Sequence, residues 1–466
     1  MMKTLEDYLR QDAALYPEKV AVICGDEVCT YRQLWDRVKA RAEVLRQEGW
    51  MSSQSSSSDG SLPHIRPFQS SQSIDFLVEY FAIHHVGAVA VPLEKMMDIP
   101  LCPIPQGVAD ILFTTGTTGK SKGVMISHST ILANAENLID AQGFHHDLTF
   151  IISGPLNHIG SLSKVYPVIM VGGTLHILEG MKNLNAFFGA MDGTEKGMMQ
   201  AEASERYGNG KFATFLVPAS IRMLLGFASE RLAKYADKIE FIETGAAPIS
   251  QSDMEKLCEL LPKSRLFNTY ASTETGIIAT YDYNQGECVA GCLGKPMKHS
   301  HFFIVDEEGQ RLSTPMSIGK VVCSGMTLMS GYYGDEALTK TVLRDRMLYT
   351  SDLGEIDAEG RLHLKGRDGD VINVGGYKVN PTEVEDAALA LPSIKDCVCI
   401  PVNHRVLGTV LKLLVVLQDG LQLDKRQLAL ALREKLATYK VPMLYEQVES
   451  ILRTFNGKID RKAYQA

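Results

Sequence analysis

The chain has 466 residues, 45% of them apolar and 22% charged, with a net charge of −8. That length exceeds what one hydrophobic core serves, so two or more domains are expected in an otherwise ordinary globular composition. The acidic balance excludes a general nucleic-acid or membrane-surface binder, because phosphate backbones and anionic lipids require a basic face.

In chain order, Thr4–Leu15 and Tyr31–Gln47 carry apolar residues at helical spacing, with Val20–Cys24 a short strand between them. The polar, acidic run Met1 to Asp7 reads as no signal peptide. Met51–Ser73 is rich in serine and reads as a mobile loop. The most apolar stretch, Phe76 to Leu93, is interrupted by Glu79, His84 and His85, so it reads as a helix followed by a strand and not as a membrane span. Strands are then expected at Ala88–Val91, Ile111–Thr115, Thr149–Ser153, Gly173–Ile177, Ala213–Val217, Ile239–Thr244 and Leu266–Tyr270. Helices such as Thr130–Asp140 and Ser250–Leu261 fall between them. That alternation predicts an α/β fold of layered, largely parallel sheets with flanking helices. After about Phe302, shorter strands and turns predict a β-rich subdomain. Past Arg367 a strand, helix (Pro381–Ala390), strand (Ile394–Ile400), strand (Val410–Leu417), helix (Asp424–Leu436) pattern predicts a small α+β C-terminal domain. The boundary is placed between a large domain, 1–367, and a small mobile one, 368–466, with Asp368 as the hinge.

Nine cysteines are scattered along the chain. Cys288 and Cys292 lie close together, as do Cys397 and Cys399, but neither pair has the second pair of Cys or His that a zinc site needs. All nine read as reduced thiols, and the protein as cytoplasmic.

The strongest local signal is Thr114-Thr115-Gly116-Thr117-Thr118-Gly119-Lys120-Ser121-Lys122-Gly123, placed directly after a predicted strand. Glycines let backbone approach a polyanion, hydroxyls and amides donate to it, and lysine adds charge. The spacing is not that of a Walker A loop. Four further segments carry chemistry. Asn268 to Gly276 holds Glu274, a carboxylate suited to a Mg²⁺ that bridges phosphates. Tyr349 to Gly354 presents Asp352 as an acceptor for ribose hydroxyls, and Gly366 to Lys378 joins a charged hinge to Gly375-Gly376. Asn456-Gly457-Lys458 places a lysine on a tight turn. Taken singly, each also fits a surface acid, a β-turn or a solvated basic tail.

In this order and spacing the five motifs resemble the adenylate-forming superfamily of acyl- and aryl-CoA ligases, peptide-synthetase adenylation domains and firefly luciferase, from about Leu5 to Arg461. The resemblance implies that Thr114, Thr115, Gly116, Thr117, Thr118, Gly119 and Lys122 wrap the triphosphate of ATP, and that Gly245, Ala246, Ala247 and Pro248 lie beside adenine and the acyl pocket. It places Tyr270, Asp352 and Arg367 on the nucleotide, Thr273 at the phosphates, Glu274 on Mg²⁺, and His158 at the mouth of the acyl pocket. Lys458 bridges carboxylate and phosphate oxygens. Rotation of the small domain about Asp368 then exchanges Lys458 for the Gly375-Gly376 loop on the thiol side.

The implied reaction is ATP-dependent activation of a carboxylic acid to an acyl-adenylate, then transfer to the thiol of CoA. Two alternatives stay open: loading of a carrier-protein phosphopantetheine, and a degenerate nucleotide binder without turnover. No acid lies in Ser153 to Gly160, which disfavours an amino-acid substrate, since a buried ammonium would lack a partner. Apolar Leu156, Ile159, Leu162, Phe215, Ala246, Tyr270 and Ile277 suit an acyl or aryl acid. The motif at Gly375 to Glu385 looks like that of the CoA ligases. Against the family pattern, Ser121 replaces a proline, the stretch from Pro92 to Ile111 is short by a strand and a helix, and the serine tract at Met51–Asp59 stands where a turn and strand are common.

Overall fold

The computed structural model describes residues 4–50, 64–115, 121–192, 210–453 and 459–464. Local sequence sets most of the helices. Thr30 closes a capping box with Gln33, and the helix Tyr31–Gln47 buries Tyr31, Leu34, Val38, Ala42 and Leu45, one face at three- and four-residue spacing. Ser127 caps His128–Gln142, which stops at Gly143 in a left-handed conformation.

Three sheets form the large region. The first has eight strands in the spatial order Gly276–Asp282, Arg265–Ser272, Ile239–Thr244, Lys211–Leu216, Leu148–Ile152, Thr174–Ile177, Val20–Cys24 and Glu27–Thr30. Its six central strands are parallel and only its outermost pairs are antiparallel. The second, of five strands, ends on Ile65–Gln69 at one edge and Gly331–Tyr332 at the other. The third, of seven antiparallel strands between Cys292 and Arg367, is the β-rich part. One core of buried side chains runs from Leu5 to Leu362 through all three.

The strand Leu362–Arg367 closes the third sheet, and the 3₁₀ turn Asp368–Asp370 follows it. The later strands pair only among themselves, as the hairpin Ile372–Val374/Tyr377–Val379 and the sheet Ile394–His404/Gly408–Leu417/Leu444–Gln447. They enclose a separate core that includes Val384, Cys397, Leu413 and Leu432. Among the described residues, no helix is long and apolar enough to cross a membrane. All nine cysteines are free thiols, five of them buried.

The reading of Met51–Ser73 as one mobile loop needs correction. Residues 51–63 lie outside the described residues, but Ile65–Gln69 is a strand parallel to Val89–Leu93. Pro67 hid it; an edge strand tolerates a proline because one side of its ladder is unpaired. Between the strands Val89–Leu93 and Val108–Thr115 the chain crosses without a helix or strand. The Tyr333 hydroxyl fastens that crossing, accepting from the Cys102 amide and donating to the Pro100 carbonyl.

Candidate active site

Four adjacent parallel strands, Leu148–Ile152, Lys211–Leu216, Ile239–Thr244 and Arg265–Ser272, end on one edge of the large sheet. That edge carries 153–160, Phe215, 245–248 and 270–276, around the crevice that such an edge offers a ligand. The chain leaves Leu148–Ile152 toward Thr174–Ile177 on one side and returns to Lys211–Leu216 on the other. This reversal of strand order is where ligands bind in open α/β sheets.

At one end of the crevice Tyr270, Asp352 and Arg367 form a single hydrogen-bonded set. The Tyr270 hydroxyl donates to Asp352 Oδ2 at 2.6 Å, and Arg367 Nε donates to Oδ1 at 2.8 Å. Asp352 and Arg367 are direct cross-strand partners. Burial first, and the Asp352 charge second, push the Tyr270 phenol well above its ordinary range. Burial opposes the Arg367 charge, yet Asp352 outweighs it and raises the guanidinium. An ionised carboxylate offers about four lone-pair sites, so Asp352 keeps acceptor capacity for hydroxyls such as those of a ribose.

At the other end lies the foot of the Gly/Thr turn. The strands Val108–Thr115 and Ser121–Ser127 are antiparallel, pairing Thr114 with Lys122 and Thr115 with Ser121. Ser121 Oγ donates to the Thr114 carbonyl at 3.0 Å, a contact that the usual proline could not make. Gly116, Thr117, Thr118, Gly119 and Lys120 lie outside the described residues. A Cβ on Gly123 would stand 2.9 Å from Ile111 Cγ2 and 3.1 Å from Tyr333 Cβ, so close approach requires glycine there. Lys122 Nζ sits 5.3 Å from the centre of the Tyr332 ring, whose hydroxyl donates to Glu274 Oε1 at 3.0 Å. Lys122 and Glu274, far apart in sequence, therefore meet on Tyr332, a residue that the motifs did not flag. Thr273 and Glu274 occupy a turn held by reciprocal bonds between Ser272 and Thr275, each 3.0 Å. Gly276 closes the turn at φ +65, where a Cβ would lie 2.5 Å from the Thr327 carbonyl.

Gly245 to Pro248 follows the strand Ile239–Thr244, with Ala246 at φ 66, a conformation that costs about 1–2 kcal/mol without glycine. His158 stands at the N-terminus of the helix Ile159–Val171, its carbonyl accepting from the Ser161 and Leu162 amides. Gln72 fastens the segment before it, donating to the Gly154 and Leu178 carbonyls and accepting from the Leu156 amide. Gln72 falls in the stretch read as loop, where no motif pointed to this role. Of the apolar pocket candidates, Leu156, Leu162, Tyr270 and Ile277 are buried in the main core. Ile159, Phe215 and Ala246 keep exposed surface.

Beneath Phe215 lies a charge pair that the sequence did not announce. Lys164 Nζ is 2.7 Å from Glu243 Oε1, with side chains 2% and 1% exposed. Gly160 and Lys164, one helical turn apart, both face the Phe215 ring, Lys164 Nζ at 5.2 Å from its centre. Burial pulls the Lys164 amine below its ordinary range, against the upward pull of Glu243. Glu243 lies outside the acid-free stretch Ser153 to Gly160, and its charge is already matched by Lys164.

Lys458 lies outside the described residues, although both its flanks are anchored. Arg453 and Ile459 form a bridge, and Arg461 forks onto Glu385 with two 2.7 Å bonds. Gly375 and Gly376, at φ +57 and +94, turn the hairpin next to Lys378, which reaches Glu307 at 2.6 Å. Asp368 pairs with Lys320 at 2.9 Å.

This architecture is that of an α/β enzyme with a ligand crevice expected at the carboxyl ends of its sheet. The chain matches the ATP-bound crystal structure of MatB from Rhodopseudomonas palustris with a TM-score of 0.83, at 22% identity over 99% of each chain. It matches o-succinylbenzoate CoA synthetase (MenE) from Bacillus subtilis, in complex with its acyl-adenylate intermediate, at 0.81 and 21%, covering 98% of each. The chain belongs to the AMP-binding enzyme family: that family model matches residues 98–333, and the AMP-binding enzyme C-terminal domain matches 383–458. Sequence relatives include a long-chain-fatty-acid–CoA ligase of Bacillus subtilis, 27% identical over 85% of this chain and 68% of the relative. Feruloyl-CoA synthase of an Amycolatopsis species is 28% identical over 96% and 95%.

Proposed function

We propose that this enzyme activates an acyl or aryl carboxylic acid with ATP and passes it to the thiol of CoA. The acid's carboxylate attacks the α-phosphorus, pyrophosphate departs, and the thiol then displaces AMP from the acyl carbon. The observations that support this reading are the Tyr270–Asp352–Arg367 set and the Lys122–Tyr332–Glu274 contact, linked through the strand Arg265–Ser272 and the turn after it, which carry Tyr270 and Glu274.

In this reading Asp352, oriented by Tyr270 and Arg367, accepts the ribose hydroxyls, and Gly245 to Pro248 lie beside adenine. The turn from Thr114 to Gly123 wraps the phosphates, with Thr273 beside them, and His158 lines the mouth of the acyl pocket. Glu274 suits Mg²⁺: it is a hard oxygen donor, only Oε1 is engaged by Tyr332, and among the described residues no lysine or arginine pairs with it. When bound, Mg²⁺ would supply charge neutralisation at the phosphates. Lys458, carried between the anchors at Arg453/Ile459 and Arg461, offsets the charge that builds as two anions meet.

The domain boundary in this reading lies at Arg367/Asp368. Pairs such as Lys320–Asp368 and Lys378–Glu307 are exposed and screened by water, so breaking them costs little. Rotation that brings Gly375-Gly376 to the thiol side therefore meets little resistance from them. Phe215 above a neutralised Lys164–Glu243 pair favours an uncharged acyl or aryl body over an ammonium, which would need an unmatched carboxylate.

Acid-dependent ATP–pyrophosphate exchange over a broad acid panel tests the first half. CoA and a phosphopantetheinylated carrier protein, offered in parallel, test the acceptor. No exchange with any acid overturns the enzyme reading, and transfer to the carrier alone overturns CoA.

A further inference from the structure

A second cluster lies where the first helix, Leu5–Leu15, meets the helices Ile74–His85 and His128–Gln142. Glu6, His84 and His128 each offer one ligating atom within 4.8 Å of the other two. Glu6 Oε2, His84 Nδ1 and His128 Nδ1 are all buried, and none has a hydrogen-bond partner. Glu6 is 7% and His84 3% exposed, so water does not compensate them. Three orphaned lone-pair atoms in one place carry a desolvation cost that folding ordinarily avoids.

The outer contacts sharpen this. His84 Nε2 is 2.8 Å from Asp110 Oδ1, and Asp110 Oδ2 accepts from the Tyr80 hydroxyl at 2.9 Å. A carboxylate accepts only, so Nε2 carries the hydrogen and Nδ1 is the ring atom left to face the cluster. Nδ1 faces Glu6 Oε2 across 3.8 Å, too far for a hydrogen bond, and the two atoms leave room for a cation between them. Ligands at about 2.0–2.1 Å around a tetrahedral zinc stand about 3.4 Å apart, so the three atoms, within 4.8 Å of one another, draw together when an ion binds. The His84 and His128 rings meet edge to face at 5.1 Å.

We propose that Glu6, His84 and His128 bind one zinc-class divalent cation, with Asp110 orienting His84 from behind. Two imidazoles and one carboxylate suit Zn²⁺ better than Mg²⁺, and a carboxylate–histidine–metal relay is a common support for such sites. The ion ties the first helix to the helices Ile74–His85 and His128–Gln142. It lies apart from the nucleotide crevice and takes no part in the acid–thiol reaction.

The full chain, free of any polyhistidine tag and nucleotide, is stripped with a chelator and titrated with Zn²⁺ against a chromophoric competitor. Co²⁺ is added in parallel to read the visible d–d bands. One equivalent is expected, with a higher Tm. Glu6→Gln and Asp110→Asn, checked for folding by circular dichroism, should each weaken Zn²⁺ binding by about 10–100-fold. Failure of the folded chain to take up stoichiometric Zn²⁺ overturns the proposal and leaves His84 as an imidazolium between two carboxylates. Wild-type affinity in both variants also overturns it.

Discussion

Replacing Lys164 with methionine keeps most of the side-chain volume but removes the positive partner of a carboxylate that is 1% exposed. Glu243 Oε1 loses its 2.7 Å contact, and Oε2 already has no partner. Breaking a buried pair from one side costs about 3–5 kcal/mol, because the remaining charge stays desolvated. The folded variant can relieve that cost only by taking up a proton that the unfolded chain does not hold at neutral pH. Its stability should therefore fall as pH rises, by up to about 1.4 kcal/mol per unit, and recover toward wild type as pH drops from 8 to 5. Urea unfolding followed by circular dichroism at several pH values measures both effects. Lys164→Met/Glu243→Leu should return to within about 1–2 kcal/mol of wild type, since hydrophobic replacement of a whole buried pair is often neutral. A deficit below about 1 kcal/mol, or one that ignores pH, would refute the reasoning and mean that water reaches the pair.

Other expectations follow from the same contacts. Asp352→Asn should raise the KM for ATP and lower kcat/KM by about 10²–10³, the scale of losing one well-placed charged partner, with the fold intact by circular dichroism. Lys458→Ala should suppress acid-dependent pyrophosphate exchange by a similar factor while thioester formation from supplied acyl-adenylate survives; equal loss of both would count against domain rotation. Gly276→Ala places a Cβ 2.5 Å from the Thr327 carbonyl at a left-handed φ, so unfolding should show a loss of at least about 2 kcal/mol. Burial raises the Asp12 carboxyl from its ordinary 3.8 to about 6. The folded state thus binds the extra proton, and this stabilisation is lost as pH rises from about 4 through 6. Asp12→Asn should consequently be the more stable chain at pH 8 and lose that advantage near pH 4.

Periodicity and capping signals alone were enough to place Val20–Cys24, Tyr31–Gln47 and Ile239–Thr244 at the bounds that the structure has. Those elements rest on contacts within a few residues, a cap such as Thr30–Gln33 or an unbroken apolar run, so local sequence suffices. The motifs were legible for a related reason: glycines, hydroxyls, carboxylates and lysines at turns advertise phosphate chemistry wherever they stand. What sequence could not supply was adjacency. Ile65–Gln69 is a strand only because Val89–Leu93 lies beside it, and Gln72 clamps residues more than 80 positions away. Tyr332 joins Lys122 to Glu274, Glu243 finds Lys164, and Glu6 comes to His84 and His128, each through strands and helices that local order does not link. Pairings of that kind are set by which strand ends share an edge and which helices pack on it. The chain's chemistry was therefore written in its residues, and only the tertiary structure decided which charges would be left facing one another.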